Sequence, residues 1–355
     1  MFNHLRKFDW ILIIASILLV GFGLVSIYNI SSTYFIKQII FLGIGIILML
    51  VLSFFDWRGF RENPYFILVL YFVCLLFLLG LFFFVPEIRG VKSWYKIGPV
   101  SFDPIGLTTI VLTILLAKFF SMRHIEMYKL SHIILSGFYV LLPVILIFFQ
   151  PDLGSVLILI ALWLGVLIIS GIKLRHFLIL ALCGLLILAL SWSFLLRDYQ
   201  KERIVSFLRP QVEPLGINWS QAQSKIAIGS GGIFGQGLGQ GPQTQYGFLS
   251  EPHTDFIFAN IAEEFGLIGV SILIFLFIVL IWRIMKIAIS AKSNFPRLFA
   301  SGIAIILFSQ IFIHIGMNLG ILPVIGISLP LVSYGGSNLI AIFIGLGILQ
   351  SIRTH

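Results

Sequence analysis

The stretch from Phe256 to Trp282 reads FIFANIAEEFGLIGVSILIFLFIVLIW, and Glu263 and Glu264 are its only ionisable side chains. A bilayer core of roughly 30 Å takes about 20 residues of helix at 1.5 Å each, so this run is long enough to cross. Backbone groups in lipid must bond within the segment, which makes the run a helix. Working outward, comparable runs lie at roughly 10–30, 34–55, 64–85, 104–120, 131–149, 152–171, 174–195, 297–320 and 332–352, which brings the total to ten.

Composition agrees with that reading. Of 355 residues, 59% are hydrophobic and only 10% charged, where a soluble domain carries about a quarter. So little polar surface cannot cover a globule in water. The expected fold is all-α: one polytopic membrane domain over residues 1–355 with about ten transmembrane helices. The first run, from Trp10, is too long for a secretory signal core and no small-x-small cleavage site follows, so it reads as an uncleaved span. Cys74 and Cys183 each lie in an apolar run and read as buried small hydrophobes, with no disulfide framework. The net charge of +9 reads as cytoplasmic loops and lipid headgroups, not nucleic acid. With the N-terminus in the cytoplasm, roughly fourteen of the 23 Lys and Arg fall on inside segments. An even number of spans then returns the C-terminus to the cytoplasm.

Two outside segments are more than connectors. One runs from Pro86 to Asp103. The other, 196–254, lies between the seventh and eighth spans and holds Trp219, Phe234, Tyr246 and Phe248 among polar residues, as an ordered loop packed on the membrane domain would. Its glycines, Gly229 to Gly241, lie outside the membrane, where no nucleotide is available. No His/Cys cluster has metal spacing and no Gly-x-Ser-x-Gly elbow occurs, so the templates of soluble enzymes fail.

Acids next to apolar spans are costly and usually have a purpose. Asp152, in Gln150-Pro151-Asp152-Leu153-Gly154-Ser155, reads either as a helix-start signal or as a charge lining a cavity. Asp255, in His253-Thr254-Asp255-Phe256, has the same two readings on the outside face. Of Glu263 and Glu264, at least one should face a polar interior or a partner. The outside bases are Arg89, Lys92, Lys96, Arg197, Lys201, Arg203, Arg209 and Lys225. Together with Asp255 they suit an anionic lipid headgroup whose sugar must be deprotonated, and Lys225, running into glycine, suits a phosphate cradle. The segment Leu322-Pro323 to Leu329-Pro330, then Ser333-Tyr334-Gly335-Gly336-Ser337, implies irregular backbone at membrane depth against protein or a water-filled cavity.

Five motifs in order resemble the SEDS family along nearly the whole chain. They are Gly90-x-x-x-Trp94, Gln150-Pro151-Asp152-Leu153-Gly154, Ala227-Ile228-Gly229-Ser230-Gly231-Gly232, His253-Thr254-Asp255-Phe256 with Glu263-Glu264-x-Gly266, and Leu329-Pro330-x-x-Ser333-Tyr334-Gly335-Gly336-Ser337. The stretch Ile315-Gly316-Met317 and the ending Ser351-Ile352-Arg353 are more similar to its RodA (elongation) branch than to its FtsW (division) branch. The resemblance implies a peptidoglycan glycosyltransferase of the bacterial cytoplasmic (inner) membrane, serving cell elongation and shape. It would polymerise lipid II, an undecaprenyl-pyrophosphate-linked disaccharide peptide, beside a class B penicillin-binding protein that crosslinks the strands. It makes Asp255 the essential aspartate and Trp94 a cavity wall. The expected substrate-binding set is Trp94, Lys92, Asp152, Arg203, Arg209, Lys225, Glu263, Ser333 and Ser337.

The chemistry is consistent with this. A lipid pyrophosphate leaves as a stable anion, so no strong acid is required, while the acceptor hydroxyl needs a base. If an α-linked donor gives a β-linked product, one carboxylate suffices, without a covalent intermediate. Positive charge must meet the developing pyrophosphate, from Arg, Lys or a divalent cation such as magnesium or manganese. Asp255 then serves as base or as metal ligand, and no organic cofactor is needed. The sequence also departs from the family. Asp103-Pro104-Ile105-Gly106-Leu107-Thr108-Thr109 lacks the usual Glu and Lys, Gln236 replaces a lysine between glycines, and His314 stands where an asparagine is common. Residues three apart share a helix face, and losing both is charge-balanced, so the missing two normally pair. Asp103 is the acid left to re-plumb the cavity. The competing readings are a flippase for the lipid-linked precursor and an inactive membrane scaffold for a transpeptidase.

Overall fold

The computed structural model describes residues 6–59, 64–85, 94–98, 100–123, 130–194, 198–208 and 219–354. Ten apolar helices carry the fold: α1 (Trp10–Ile30), α2 (Ser32–Phe54), α3 (Pro64–Phe84), α4 (Pro104–Arg123), α5 (Leu130–Phe149), α6 (Leu153–Ile169), α7 (Leu174–Phe194), α11 (Ile257–Ser290), α12 (Asn294–Leu319) and α13 (Gly336–Thr354). Nine are long and apolar enough to cross a membrane among the described residues; α6, at 17 residues, is the short one. The outside segments hold a two-stranded antiparallel hairpin, β1 (Tyr95–Ile97) and β2 (Val100–Phe102), and helices α8 (Asp198–Leu208), α9 (Trp219–Ser230) and α10 (Pro242–Gln245). The hairpin is the one addition to the all-α expectation. Its Tyr95 hydroxyl donates to Phe77 O on α3 at 2.6 Å.

Lipid cannot drive apolar helices together, so close packing at small residues does. A Cβ on Gly45 of α2 would meet the Phe343 ring of α13 at 3.0 Å, and one on Gly347 would meet the Met49 backbone at 2.9 Å. This closes α2 against α13. The buried core runs through α4, α6, α12 and α13, with Leu112, Leu116, Leu159, Phe299 and Phe343 fully covered. By contrast, α7 leaves most of its described side chains exposed, as a helix facing lipid would.

Two interruptions shape the outer half. In α11, Gly266 adopts φ 64°, ψ −162°, which breaks the helix into two. The glycine-rich stretch of the long loop fills the break. Gln236 N and Gly237 N donate to the carbonyls of Glu263 and Glu264 at 2.9 and 3.1 Å, while Leu267 N and Ile268 N donate to Gly232 O and Ile233 O at 2.9 and 3.2 Å. Backbone groups freed by the break are thus paired by the loop. The second interruption is 320–335, where no helix forms before α13 begins at Gly336. Leu331, 2% exposed, sits there at φ +67°, a left-handed conformation unfavourable for a branched side chain.

Candidate functional site

Asp255 lies just before α11, and its neighbours hold it through the backbone. Asn318, buried near the end of α12, donates from Nδ2 to Asp255 O at 3.0 Å and to His314 O at 2.8 Å, and its Oδ1 accepts from Ala259 N at 3.2 Å. On the other side, Tyr334 N donates to His253 O at 2.8 Å, and Ser333 Oγ donates to Thr254 O at 2.8 Å while accepting from Leu329 N at 2.8 Å. Gln38 of α2 grips the same segment, donating to Ser333 O at 3.2 Å and accepting from Gly335 N at 3.3 Å. The ring of His253 stacks on Tyr34 with centroids 4.5 Å apart. Residues 253–255 are therefore stitched to 329–335.

The Asp255 carboxylate faces the irregular segment: a Cβ on Gly326, itself at φ +72°, would stand 4.0 Å from Asp255 Oδ2. The next residue, Ile327, offers its carbonyl to His314 Nδ1 at 2.7 Å, which fixes that ring nitrogen as a donor. Gly154 packs beneath, where a Cβ would meet Ile325 O at 3.0 Å and Ile327 Cγ1 at 2.6 Å. Asp152, two residues earlier, caps α6, accepting from Ser155 N at 3.0 Å and Ser155 Oγ at 2.6 Å. Residues 325–327 thus adjoin both Asp255 and the Asp152 turn. Asp103 joins from the hairpin side. Its N–H donates to Ser337 Oγ at 2.9 Å and its carboxylate accepts from Ile105 N at 2.9 Å. Burial, with the Asp152 charge adding to it, pushes the Asp103 carboxyl up to about 7 against the Ile105 hydrogen bond; burial also raises Asp152, against its bonds from Ser155 and Gly154.

Several expected substrate contacts have protein partners. Glu263, fully buried, accepts from Gln243 N at 2.7 Å and Thr244 N at 3.2 Å, with Thr244 Oγ1 2.9 Å away, and so holds α10 down on α11. Glu264 accepts from Gly239 N at 3.0 Å and Asn29 Nδ2 at 3.3 Å. Lys225 lays its stem over Gly320, which ends α12 at φ +74° where the last carbonyls project and a cation is favoured. Arg203 donates to Val324 O at 3.3 Å, bracing the irregular segment from α8. Trp94, 41% exposed, stands at the head of the hairpin. Lys92 and Arg209 lie outside the described residues. Asn318, Gln38 and Ser224, whose hydroxyl donates to Asn318 O at 2.9 Å, organise the site and were not singled out by sequence. A polar residue inside an apolar run was the signal they offered.

An ordered outer loop stapled into a broken helix, over acids gathered at an irregular membrane segment, defines a polytopic membrane protein with an outward-facing polar site. The model of the FtsW, RodA and SpoVE family, described as cell cycle protein, matches residues 5–355. The chain is 39% identical to the peptidoglycan glycosyltransferase MrdB of Escherichia coli K12 over 88% of its length and 84% of that protein's. It is 34% identical to stage V sporulation protein E of Bacillus subtilis strain 168, covering 98% of this chain and 97% of that one. Among solved structures, a chain from work on coordinated polymerization and crosslinking by a peptidoglycan synthase complex superposes with a TM-score of 0.83 at 31% identity, covering 98% and 97%. The rod shape determining protein RodA of Thermus thermophilus gives 0.73 at 30%, with the same coverage. The chain belongs to the FtsW/RodA/SpoVE family and is a multi-pass bacterial membrane protein.

Proposed function

We propose that this chain is a peptidoglycan glycosyltransferase that polymerises lipid II at the outer face of the cytoplasmic membrane, with both termini in the cytoplasm and Asp255 as the base. The observation that carries the reading is the placement of Asp255: its carboxylate faces Gly326 of the irregular segment, with its backbone fixed from both sides. Membership of a family whose relatives are named peptidoglycan glycosyltransferases supplies the reaction class. In the transfer, the acceptor hydroxyl gives its proton to the Asp255 carboxylate as its oxygen bonds the donor's anomeric carbon. The bond from that carbon to the pyrophosphate breaks, and the electron pair leaves with the lipid pyrophosphate. Attack from the face opposite the leaving group inverts the centre.

A divalent cation, magnesium or manganese, would neutralise the departing pyrophosphate. Among the described residues no three His, Cys, Asp or Glu gather to hold one, so Asp255 is the chain's own ligand and substrate oxygens supply the rest. The leaving group is already activated, and no organic cofactor enters. A class B penicillin-binding protein is the proposed partner, in line with the relative solved from a synthase complex.

The test uses the full chain in liposomes with lipid II, with and without its transpeptidase partner. Asp255→Asn should cut polymer formation by about 100-fold or more, the lower range of a lost general base, with an unchanged melting profile. Ordinary polymer from the folded variant would end the assignment. Precursor crossing the bilayer without polymer would instead support the flippase, and partner binding without polymer the scaffold.

A further inference from the structure

A groove of about 440 Å³ opens between α2, β2, α4 and α13, within the range of ligand sites. Lys37, Ile40, Phe41 and Ile44 form one wall; Phe102, Leu107 and Ile340 face them, with Ser101 and Ser337 beside Lys37. Its polarity is ordered along the membrane normal. Lys37 lies in the second turn of α2, near the outer end, and Ile44 lies two turns deeper, about 10 Å at helical rise. Ser337 opens α13 and Ile340 follows one turn below. The wall opens sideways: Ile40 is 55% and Ile44 40% exposed. Lys37, half-buried, has no hydrogen bond or ion pair among the described residues.

We infer that this groove seats the carrier lipid of the substrate, its polyprenyl chain along Ile40, Ile44 and Ile340 and its phosphate on Lys37. Three features support that occupant. A side opening admits a chain from the leaflet. A single ammonium over an apolar floor matches a lipid with one anionic group. Ser337, on the rim, also accepts from Asp103 N, so the groove's polar end joins the site already described. An ammonium held over hydrocarbon is weakly solvated and gains more from an anion than one in water. This inference rests on the polymerase reading for its ligand, yet binding can be read without turnover.

The experiment is native mass spectrometry of the full chain in the Asp255→Asn background, released from nanodiscs of phosphatidylethanolamine and phosphatidylglycerol doped with a long-chain polyprenyl phosphate. The parent should retain the polyprenyl phosphate over phosphatidylglycerol. Lys37→Glu and the groove-filling Ile44→Trp should each lower retention at least tenfold. Lys37→Arg should keep it, and so should Ile278→Trp on the exposed face of α11. Equal retention of phosphatidylglycerol, or parent-like retention by both Lys37→Glu and Ile44→Trp at matched melting temperatures, overturns the assignment. Because the background is inactive by design, a failed polymerase reading leaves this readout intact.

Discussion

Asp103 occupies the turn from which the family's Glu and Lys are missing. It carries one acid with no base beside it, and burial next to Asp152 pushes it up to about 7. An unfolded aspartate titrates near 4, so the folded chain holds its proton more tightly across that interval. The stability this confers is intact below about 4 and falls as pH rises through 7. Asp103→Asn cannot ionise and keeps an acceptor for Ile105 N. Thermal unfolding in detergent should show the variant matching the parent at acid pH and melting higher at pH above 7. A parent curve equally flat across this range would show that Asp103 titrates normally. Glu263 illustrates the opposite case, an acid whose oxygens are engaged by the α10 backbone and Thr244.

At the scale of elements, the break in α11 is the departure from regularity on which the outer loop depends. A Cβ on Gly266 would meet Ile233 O at 2.6 Å, and its backbone conformation is one that only glycine adopts readily. Gly266→Ala should lower the melting temperature, with a cost of about 1–3 kcal/mol, and raise proteolysis within 231–250; an unchanged digestion pattern would show that the loop holds without the break. The sequence made the ten spans legible because hydrocarbon forces long apolar runs. It also flagged the irregular entry to α13 through Pro323 and Pro330. The Gly266 break escaped it, because the loop carbonyls and amides that replace the lost helix bonds come from residues 232–237, some thirty positions away. Glycines suited to a phosphate cradle are instead small enough for loop backbone to lie on α11. The hairpin escaped too, being too short for any periodicity to register.

Across the whole molecule, the cytoplasmic side is closed by one buried acid. Asp9, 1% exposed, caps α1 at Leu12 N and receives Arg283 from α11 through Nε at 2.9 Å and Nη2 at 2.6 Å, while Arg353 of α13 also reaches its Oδ2. Gln350 accepts from Asp9 N at 2.9 Å and donates to Asp9 O at 3.2 Å. Removing one partner strands a buried guanidinium, so Asp9→Ala should lose about 3–5 kcal/mol, read as a lower melting temperature in detergent. Asp9→Ala combined with Arg283→Met should recover part of that loss; no recovery would show that the acid matters through its helix cap alone.

The stitching of residues 253–255 to 329–335 has a consequence for how such a protein can be altered. The carboxylate is aimed from two directions, by the long loop that bears it and by a stretch some eighty residues downstream. Neither piece carries the geometry by itself. A chimera built between relatives must therefore exchange both as one cassette, with Asn318 and Gln38 matched to them, or the transplanted acid arrives without its aim.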